Sequence, residues 1–254
     1  MRVGLFGFGR AGKAVATVLL QNERVYLCWV IRKTKCLEHR SVSEFLGIRE
    51  KEAGSCQGLI CPKDEWTPQQ LLDKHPVDAI IDFSCSEAIY YYGEEAAKRG
   101  IAIVTAISAY PPQTIEYLKE LSQKTRVLWS PNITIGINFL MLAAKTLKNI
   151  APYTDIEIIE EHFKNKQETS GTAIKITEVL DLPKANIKSV RAGGIVGRHE
   201  IIFGFPYQTV RLIHESIQRE AFGNGALFAA INLMGREKGF YSMEDLLIQY
   251  FNPK

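Results

Sequence analysis

The sequence predicts an α/β fold: an N-terminal doubly wound parallel sheet, followed by an α+β domain with an open mixed or antiparallel sheet. In the first half, continuous apolar runs alternate with segments of helical periodicity, as in parallel sheets covered on both faces. A glycine-rich turn, "GFGRAG", links the first apolar run to the first helix. After Pro131 a long helix precedes strand-like segments of a more open kind, which indicates a second domain.

The elements of the first half are assigned in order from these patterns. Each continuous apolar run is expected to form a strand, at 3–6, 24–31, 77–83, 101–106 and 126–130. A helix should follow the glycine turn, and short helices are predicted around "SVSEFLG" and "TPQQLLDKH". Two further helices are predicted at "SEAIYYYGEEAAKRG", capped by Ser86 and closed by Gly100, and at "PPQTIEYLKELSQK", which begins with proline.

The second half begins with a helix, "GINFLMLAAKTLKNI". Four segments then have the character of strands: "DIEIIEEH", "IKSVRAG", "HEIIFGF" and "YQTVRLIHES". The chain ends with a helix in "NGALFAAINLMGREKG", stopped by Gly239, and another in "SMEDLLIQYF", where Ser242 and Asp245 resemble a capping box. We expect these helices to return to the first domain, so that residues 1–131 and 221–254 form one domain and residues 132–220 the other.

Composition excludes several classes of protein. With 254 residues and 46% hydrophobic content, the chain can bury a large core. A net charge of +3 without basic runs predicts no nucleic-acid partner. No apolar stretch approaches a membrane span, and the first residues do not resemble a signal peptide, so we expect a cytoplasmic protein with no membrane partner.

The cysteines are expected to be reduced thiols, since their number is odd and the chain is too large to need disulfides: Cys28, Cys36, Cys56, Cys61 and Cys85. Cys56 and Cys61 could ligate a metal in principle. No His or Cys stands near them at ligand spacing, so we expect no metal site.

The glycines of "GFGRAG" favour a dinucleotide-binding turn of the Rossmann type. Gly7 and Gly9 would let the backbone turn tightly and approach a pyrophosphate, and Gly12 would let the helix pack closely on the strand. The helix N-terminus would then hold the phosphates. The candidate cofactor residues of this turn are Gly7, Phe8, Gly9, Arg10, Ala11 and Gly12. The alternative is a turn with a purely structural role.

Arg32 and Lys33 stand at the end of the second predicted strand, about 20 residues after the glycine turn. An acidic residue there would accept hydrogen bonds from the ribose 2′-hydroxyl of NAD. A guanidinium instead grips a 2′-phosphate through two donors, which favours NADPH, with NADH possible. The alternative is a pair of solvated residues at the end of a strand.

The stretch "EEHFKNKQETSGTA" combines a histidine, lysines and a Ser-Gly-Thr turn before a predicted helix. Ser170, Gly171 and Thr172 would present the helix N-terminus to a carboxylate. His162 and Lys166 could hold an anion and supply a proton. Taken alone, such a stretch is more often only a helix cap beside a solvent-facing histidine.

Several separate motifs resemble dihydrodipicolinate reductase, also called 4-hydroxy-tetrahydrodipicolinate reductase. That family's signature is Glu-x-His-His, two residues, Lys-x-Asp, a small residue and Pro-Ser-Gly-Thr-Ala, and the matching residues here are Glu160, His162, Lys166, Ser170, Gly171, Thr172 and Ala173. "IIDFS" is similar to the family's second cofactor loop and "SPNITIGIN" to its interdomain hinge. "VRAGGIVGRHE" and "REAFGNGALFAA" fit its substrate domain and return helix, so the resemblance covers nearly the whole chain.

The chain departs from the family pattern in its substrate motif. Phe163 stands where the family has its second histidine, and the segment from Lys166 to Ser170 is one residue shorter. The family's Gly-Thr-Thr-Gly is "TAISAY" here, and its Arg-Ala-Gly-Asp ends in Gly194. Phe163 would remove one substrate-side donor and make that wall apolar.

The resemblance implies a complete set of roles. Beyond the glycine turn and Arg32, the cofactor would contact Phe83, Ser84, Thr105, Ala106, Pro131, Asn132, Arg219 and Phe222. Hydride would pass to a cyclic dicarboxylate held by Lys166 and the Gly171 and Thr172 N–H groups, with His162 or Lys166 as the proton donor. Family members are usually homotetramers assembled through the sheet of the second domain.

The sequence is compatible with three functions. The first is the lysine-pathway reductase that makes tetrahydrodipicolinate. The second is a reductase of the same architecture acting on another small amino or keto dicarboxylate, motivated by Phe163 and the shortened loop. The third is a catalytically silent NADPH-binding protein, against which the retained His162 and Lys166 argue.

Overall fold

The computed structural model describes residues 1–33, 40–48 and 58–251. Its first sheet has seven parallel strands in the order β11-β6-β5-β4-β1-β2-β3. Their bounds are β1 Arg2–Phe6, β2 Tyr26–Arg32, β3 Leu59–Pro62, β4 Ala79–Asp82, β5 Ala102–Thr105, β6 Arg126–Trp129 and β11 Gly239–Tyr241. The order reverses direction at β1, as in doubly wound folds, and the α/β prediction is confirmed.

Helices cover both faces of this sheet because its central strands are buried on both sides. One face packs on α1 (Arg10–Gln21), α2 (Val42–Leu46), α8 (Glu220–Met234) and α9 (Met243–Leu247). The other face packs on α3 (Pro68–Lys74), α4 (Ala88–Lys98) and α5 (Pro112–Ser122). The two last helices of the chain therefore return to the first sheet, as predicted.

The second sheet is mixed, with strand order β10-β9-β7-β8. Its strands are β7 (Asp155–His162), β8 (Ile187–Arg191), β9 (Arg198–Gly204) and β10 (Thr209–Glu215), and only the β7–β8 pair is parallel. Apolar residues of β7 and β9 pack on α6 (Ile135–Ile150) and α7 (Gly171–Val179). One face of this sheet is thus covered by helices.

Two strands are absent from the sequence prediction, β3 and β11. β3 spans four residues and ends in proline, and β11 spans three residues and begins with glycine, so neither forms an apolar run that stands out locally. Each is a strand because it pairs with a longer neighbour, β2 or β6. The prediction that Gly239 stops α8 is wrong, because the helix ends at Met234 with Gly235 as its C-cap.

Two predicted caps have different outcomes. The Ser86 cap is wrong, because Glu87 is the N-cap of α4 and the Ser86 hydroxyl donates to the Glu87 carboxylate at 2.7 Å. The Ser242–Asp245 capping box on α9 is confirmed.

The cysteines of the described residues are unpaired with one another. Cys28, Cys61 and Cys85 are free thiols, whereas Cys36 and Cys56 lie outside the described residues. Among the described helices, none is long and apolar enough to cross a membrane.

Candidate active site

The glycine turn after β1 is built from three close backbone approaches. Gly7 has a φ of +96°, and a Cβ on it would lie 2.6 Å from the Phe83 carbonyl oxygen. A Cβ on Gly12 would lie 2.0 Å from the Gly7 carbonyl oxygen, so both positions require glycine. Gly9, the N-cap of α1, has no side-chain cap and open space where a Cβ would stand. This cradle at a helix N-terminus fits a dinucleotide pyrophosphate.

A cleft of about 560 Å³ lies beside this turn, where the loops after β4, β5 and β6 meet. It brings together seven of the predicted cofactor residues and one predicted substrate residue: Ala11, Phe83, Ser84, Ala106, Pro131, Asn132, Phe222 and Thr172. Sequence reasoning missed its other lining residues, Ile107, Ser108, Ala109 and Ile133. The cleft therefore runs from the first sheet to the beginning of α7.

The remaining predicted cofactor residues lie outside this cleft. Arg10 and Arg219 line a second, neighbouring cleft of about 610 Å³ with Lys13. Phe8 is buried in the core, and the buried Thr105 hydroxyl is hydrogen-bonded to the Tyr110 hydroxyl at 2.6 Å. Arg32 ends β2, and Lys33 follows it with an exposed side chain.

Asp82, at the end of β4, holds the loop that lines the cleft. Its carboxylate accepts hydrogen bonds from the Ser84 N–H at 2.8 Å, the Ser84 hydroxyl at 2.5 Å and the Tyr92 hydroxyl at 2.9 Å. The side chain is completely buried, and burial raises the pKa of Asp82 to about 6 against the opposing effect of these donors. Sequence reasoning missed this residue, whose only sequence signal is a carboxylate at the end of an apolar strand.

The raised pKa of Asp82 predicts a pH-dependent stability. Because the folded-state pKa exceeds the ordinary 3.8, the buried charge destabilises the fold at neutral pH, and protonation below about 6 relieves this. The free energy of unfolding of the wild type relative to Asp82→Asn should rise by about 1 kcal/mol as the pH falls from about 7 to about 5. Urea titrations of both proteins measure this difference, and an unchanged or falling difference would contradict the assignment.

The inner face of the second sheet carries a buried pair, Glu160 and His162, on alternate positions of β7. The Glu160 carboxylate is hydrogen-bonded to His162 Nδ1, and it accepts from the Ser189 hydroxyl at 2.6 Å and from Arg191 Nη2 at 2.5 Å. Burial opposes the Glu160 charge, but the Arg191, Ser189 and His162 donors outweigh it and lower the pKa of Glu160 to about 2. Glu160 is therefore an anion at neutral pH.

This anion determines which nitrogen of His162 can exchange a proton. With Nδ1–H donated to Glu160, Nε2 is the atom that gains or loses a proton. Burial lowers the pKa of His162 below its ordinary 6.5, and Lys166 and Arg191 lower it further, whereas Glu160 raises it. Nε2 lies against Gly197, where an added Cβ would be 3.1 Å away.

His199, on β9, links His162 to the start of α7. Its ring meets that of His162 edge to face at 5.3 Å, and its Nε2 is 2.9 Å from the Ser170 hydroxyl. Burial lowers the pKa of His199 to about 4, so it is neutral. Ser170 is the N-cap of α7, but its side chain does not cap the helix, and the first-turn N–H groups keep their capacity to bind an anion.

Asn132 joins the cleft to this helix start, because its side-chain amide donates to the Thr172 hydroxyl at 2.9 Å. Lys166 is half-buried in the loop after β7, and its N–H donates to the Phe163 carbonyl at 3.1 Å. Phe163 is 45% exposed. The structure thus gathers five residues into one network beside the cleft: Thr172, Ser170, His199, His162 and Glu160.

Three residues of the site were not predicted from the sequence: Ser189, Arg191 and His199. Only strand pairing brings them to β7.

Family comparisons match both halves of this architecture. Residues 1–133 match the model of the dihydrodipicolinate reductase N-terminus, and residues 133–247 match that of the dihydrodipicolinate reductase C-terminus. The chain belongs to the dihydrodipicolinate reductase family. This confirms the resemblance, and with it a pyridine-nucleotide-dependent reductase of lysine biosynthesis.

Individual members of the dihydrodipicolinate reductase family are similar to this chain in sequence and in fold. The 4-hydroxy-tetrahydrodipicolinate reductase of Caldanaerobacter subterraneus subsp. tengcongensis is 35% identical over 68% of this chain and 78% of that relative. That of Aquifex aeolicus is 31% identical over 94% of this chain and 95% of its own length. The solved structure of dipicolinate-bound dihydrodipicolinate reductase from Paenisporosarcina sp. TG-14 has the same fold, with a TM-score of 0.78 at 21% identity over 96% of this chain and 98% of that one.

Proposed function

We propose that this protein reduces a dihydrodipicolinate-type cyclic dicarboxylate to tetrahydrodipicolinate, with NADPH as the reductant. The observation that carries the proposal is the Asn132–Thr172 hydrogen bond, which ties the cleft beside the glycine turn to the helix start that can bind a carboxylate. Family membership supports the same reaction. Reductant and substrate sites would then meet at the hinge between the two sheets.

The residues present fit a nicotinamide dinucleotide. The backbone of Gly7, Gly9 and Gly12 forms the pyrophosphate cradle, and the cleft lined by Phe83, Ala106 and Pro131 leads from it toward α7. When bound there, the cofactor supplies a hydride.

The substrate carboxylates are held by the α7 N-terminus and by Lys166. The N–H groups of Gly171 and Thr172 and the helix dipole favour an anion, and Ser170 leaves them uncapped because its hydroxyl meets His199. Lys166 adds a cation from the loop before this helix. Two carboxylates on one ring would thereby receive two separate anchors.

The proton comes from His162 or Lys166. His162 Nε2 is the exchangeable atom, because Glu160 engages Nδ1. A bound dianion raises the pKa of a nearby histidine, which opposes the lowering caused by burial and favours the acid form in the complex. This makes His162 the better candidate for the general acid.

We propose that Arg32 selects NADPH over NADH by binding the 2′-phosphate of NADPH. Arg32→Ser should raise the KM for NADPH about 10- to 100-fold, as expected for losing a charge-assisted hydrogen bond, and leave the KM for NADH nearly unchanged. Arg24→Ser is the matched control, since Arg24 precedes the first residue of β2 and Arg32 is its last residue. Steady-state kinetics with both cofactors make the measurement. An equal loss with NADPH and NADH would contradict the role in selection.

A second candidate function follows from the departures in the substrate motif. Phe163 presents an exposed aromatic side chain where the family signature has a histidine, and the loop to Ser170 is one residue shorter. An apolar side chain at this position and the shorter loop would suit another small amino or keto dicarboxylate reduced by the same machinery. A panel of such substrates separates the two candidates.

We also propose the division into a dinucleotide-binding domain, residues 1–131 and 221–254, and a substrate-binding and oligomerisation domain, residues 132–220. The outer face of the second sheet supports a homotetramer, because it exposes Val190 and Ile213. Light scattering gives the number of subunits in solution.

The reaction itself is tested with purified protein, NADPH and the condensation product of pyruvate and aspartate semialdehyde. We expect loss of absorbance at the nicotinamide band that depends on both substrates. Tight NADPH binding without oxidation would overturn the proposed reaction and favour the silent NADPH-binding protein.

A further inference from the structure

We propose that Arg191 is a positioning residue that holds Lys166 and His162 in one arrangement, although it belongs to neither the cleft nor the helix start. This inference rests on the proposed function and deepens it. Arg191 ends β8 and lies beside His162 in the parallel β7–β8 register. Its guanidinium is the point at which the loop after β7 is fastened to the sheet.

Beyond the Val190 carbonyl of its own strand, to which Nη1 donates at 2.9 Å, the guanidinium makes contacts to two other segments. Nη2 donates to Glu160 Oε1 at 2.5 Å and to the Glu168 carbonyl at 2.9 Å, and Nε donates to the Lys166 carbonyl at 2.9 Å. Glu160 in turn engages Nδ1 of His162. One planar group therefore fixes the backbone on both sides of residue 167 and the carboxylate that orients the proposed acid.

The loop that carries Lys166 needs such an anchor. Residues 163–169 form no helix or strand, and all of them except Lys166 are exposed. Their main-chain bonds within the described part of the chain are the turn from Lys166 to Phe163 and the bond from Lys164 N–H to the Gly193 carbonyl. Among the described residues, the only hydrogen bond to residues 167–169 is the one that the Glu168 carbonyl accepts from Arg191, so the second half of the loop depends on this side chain.

Arginine is required here by geometry and by charge. Its rigid fork can donate to two carbonyls and a carboxylate at once, whereas a lysine ammonium on a flexible stem cannot span the same three acceptors. Glu160 is completely buried, and an unpaired carboxylate in that place would be costly. Loss of Arg191 should raise the pKa of Glu160, remove the donor that fixes Oε1 of the carboxylate that orients His162, and release the backbone at Lys166.

The first experiment compares Arg191→Lys and Arg191→Ala with Arg126→Lys. Arg126 is the matched control because its guanidinium also ties two carbonyls, those of Met234 and Gly100, but lies on β6 away from the site. We expect kcat/KM for the dicarboxylate to fall by up to about 100-fold in both Arg191 variants, with the Kd for NADPH unchanged. Millimolar guanidinium chloride should restore part of the activity of Arg191→Ala only.

The second experiment is a double-mutant cycle. If Arg191 acts through Lys166 and His162, Arg191→Ala should cost far less in kcat/KM when both are already replaced by glutamine. Additive losses would mean a general effect on the fold and would overturn the proposal. So would weakened NADPH binding, or an equal loss in the Arg126 control.

A third measurement is independent of turnover. Trypsin should cut after Lys164 and Lys166 faster in Arg191→Ala than in the wild type, while the thermal midpoint of the remaining fold changes little. Unchanged cleavage would contradict the anchoring role. If the wild type is inactive but Arg191→Ala is cleaved faster, the proposed reaction is contradicted and the anchoring role is not. If the wild type is active and the Arg191 variants are equally active, only the role of Arg191 is contradicted.

Discussion

Replacing His162 by glutamine is expected to lower kcat about 100- to 10,000-fold, the range typical of a lost general acid. Glutamine has no proton to give at neutral pH, and the Nε2 position that Glu160 makes exchangeable is removed. The Kd for NADPH should not change, because His162 lies on β7 of the second sheet, outside the residues that line the cofactor cleft. Steady-state kinetics and a fluorescence titration with NADPH measure the two effects separately.

The matched control is His75→Gln. His75 lies at the end of α3 and packs against Trp66 of the first domain, and its replacement should leave kcat unchanged.

The pH dependence of the wild type tests the same role. Its kcat/KM should fall as the pH rises through the pKa of His162, which lies below 6.5 in the free protein. Glu160, Arg191, Lys166 and His199 are the ionisable groups that face it. A profile for His162→Gln that keeps this limb would contradict the acid role of His162.

Replacing Gly9 by alanine is expected to abolish measurable NADPH binding while leaving the thermal midpoint of the free protein nearly unchanged. An added Cβ meets no protein atom within 4 Å, so the fold tolerates it. The same methyl group stands where a pyrophosphate approaches the helix N-terminus. Calorimetric titration and thermal unfolding of the free protein measure the two quantities.

Gly12→Ala is the contrasting variant, because its Cβ would lie 2.0 Å from the Gly7 carbonyl oxygen. It should lower the free energy of unfolding by about 1–3 kcal/mol even without cofactor, as overpacking does. If Gly9→Ala binds NADPH normally, the turn has only a structural role. A Gly12 variant as stable as the wild type would contradict the described backbone approach.

Most of the fold could be predicted from the sequence because its signals are local. Apolar runs of four or more residues identify β1, β2, β4 and β5, and the glycine turn identifies the beginning of α1. β3 and β11 carry no such signal, since three or four residues become a strand only when a neighbouring strand supplies partners. The Ser86 cap failed for a related reason, as its hydroxyl found a side-chain acceptor instead of the helix backbone.

The residues of the site likewise fall into those with a local sequence signal and those without one. His162, Lys166 and the Ser170 turn follow one another along the chain, so spacing and resemblance could identify them. His199 and Arg191 come from β9 and β8, and their places beside β7 depend on strand register that sequence alone does not specify. Asp82 was missed because a carboxylate at the end of a strand is ordinarily solvated, whereas here Ser84 and Tyr92 enclose it.

In the proposed reaction, the cleft and the helix start that it adjoins bring hydride and cyclic dicarboxylate together. Transfer of deuterium tests this most directly, using NADPH labelled at the transferable C4 position and mass spectrometry of the product. We expect tetrahydrodipicolinate that carries the deuterium on a ring carbon, in amounts matching the NADPH consumed. Product without deuterium, or bound NADPH that is never oxidised, would contradict hydride transfer between these two sites.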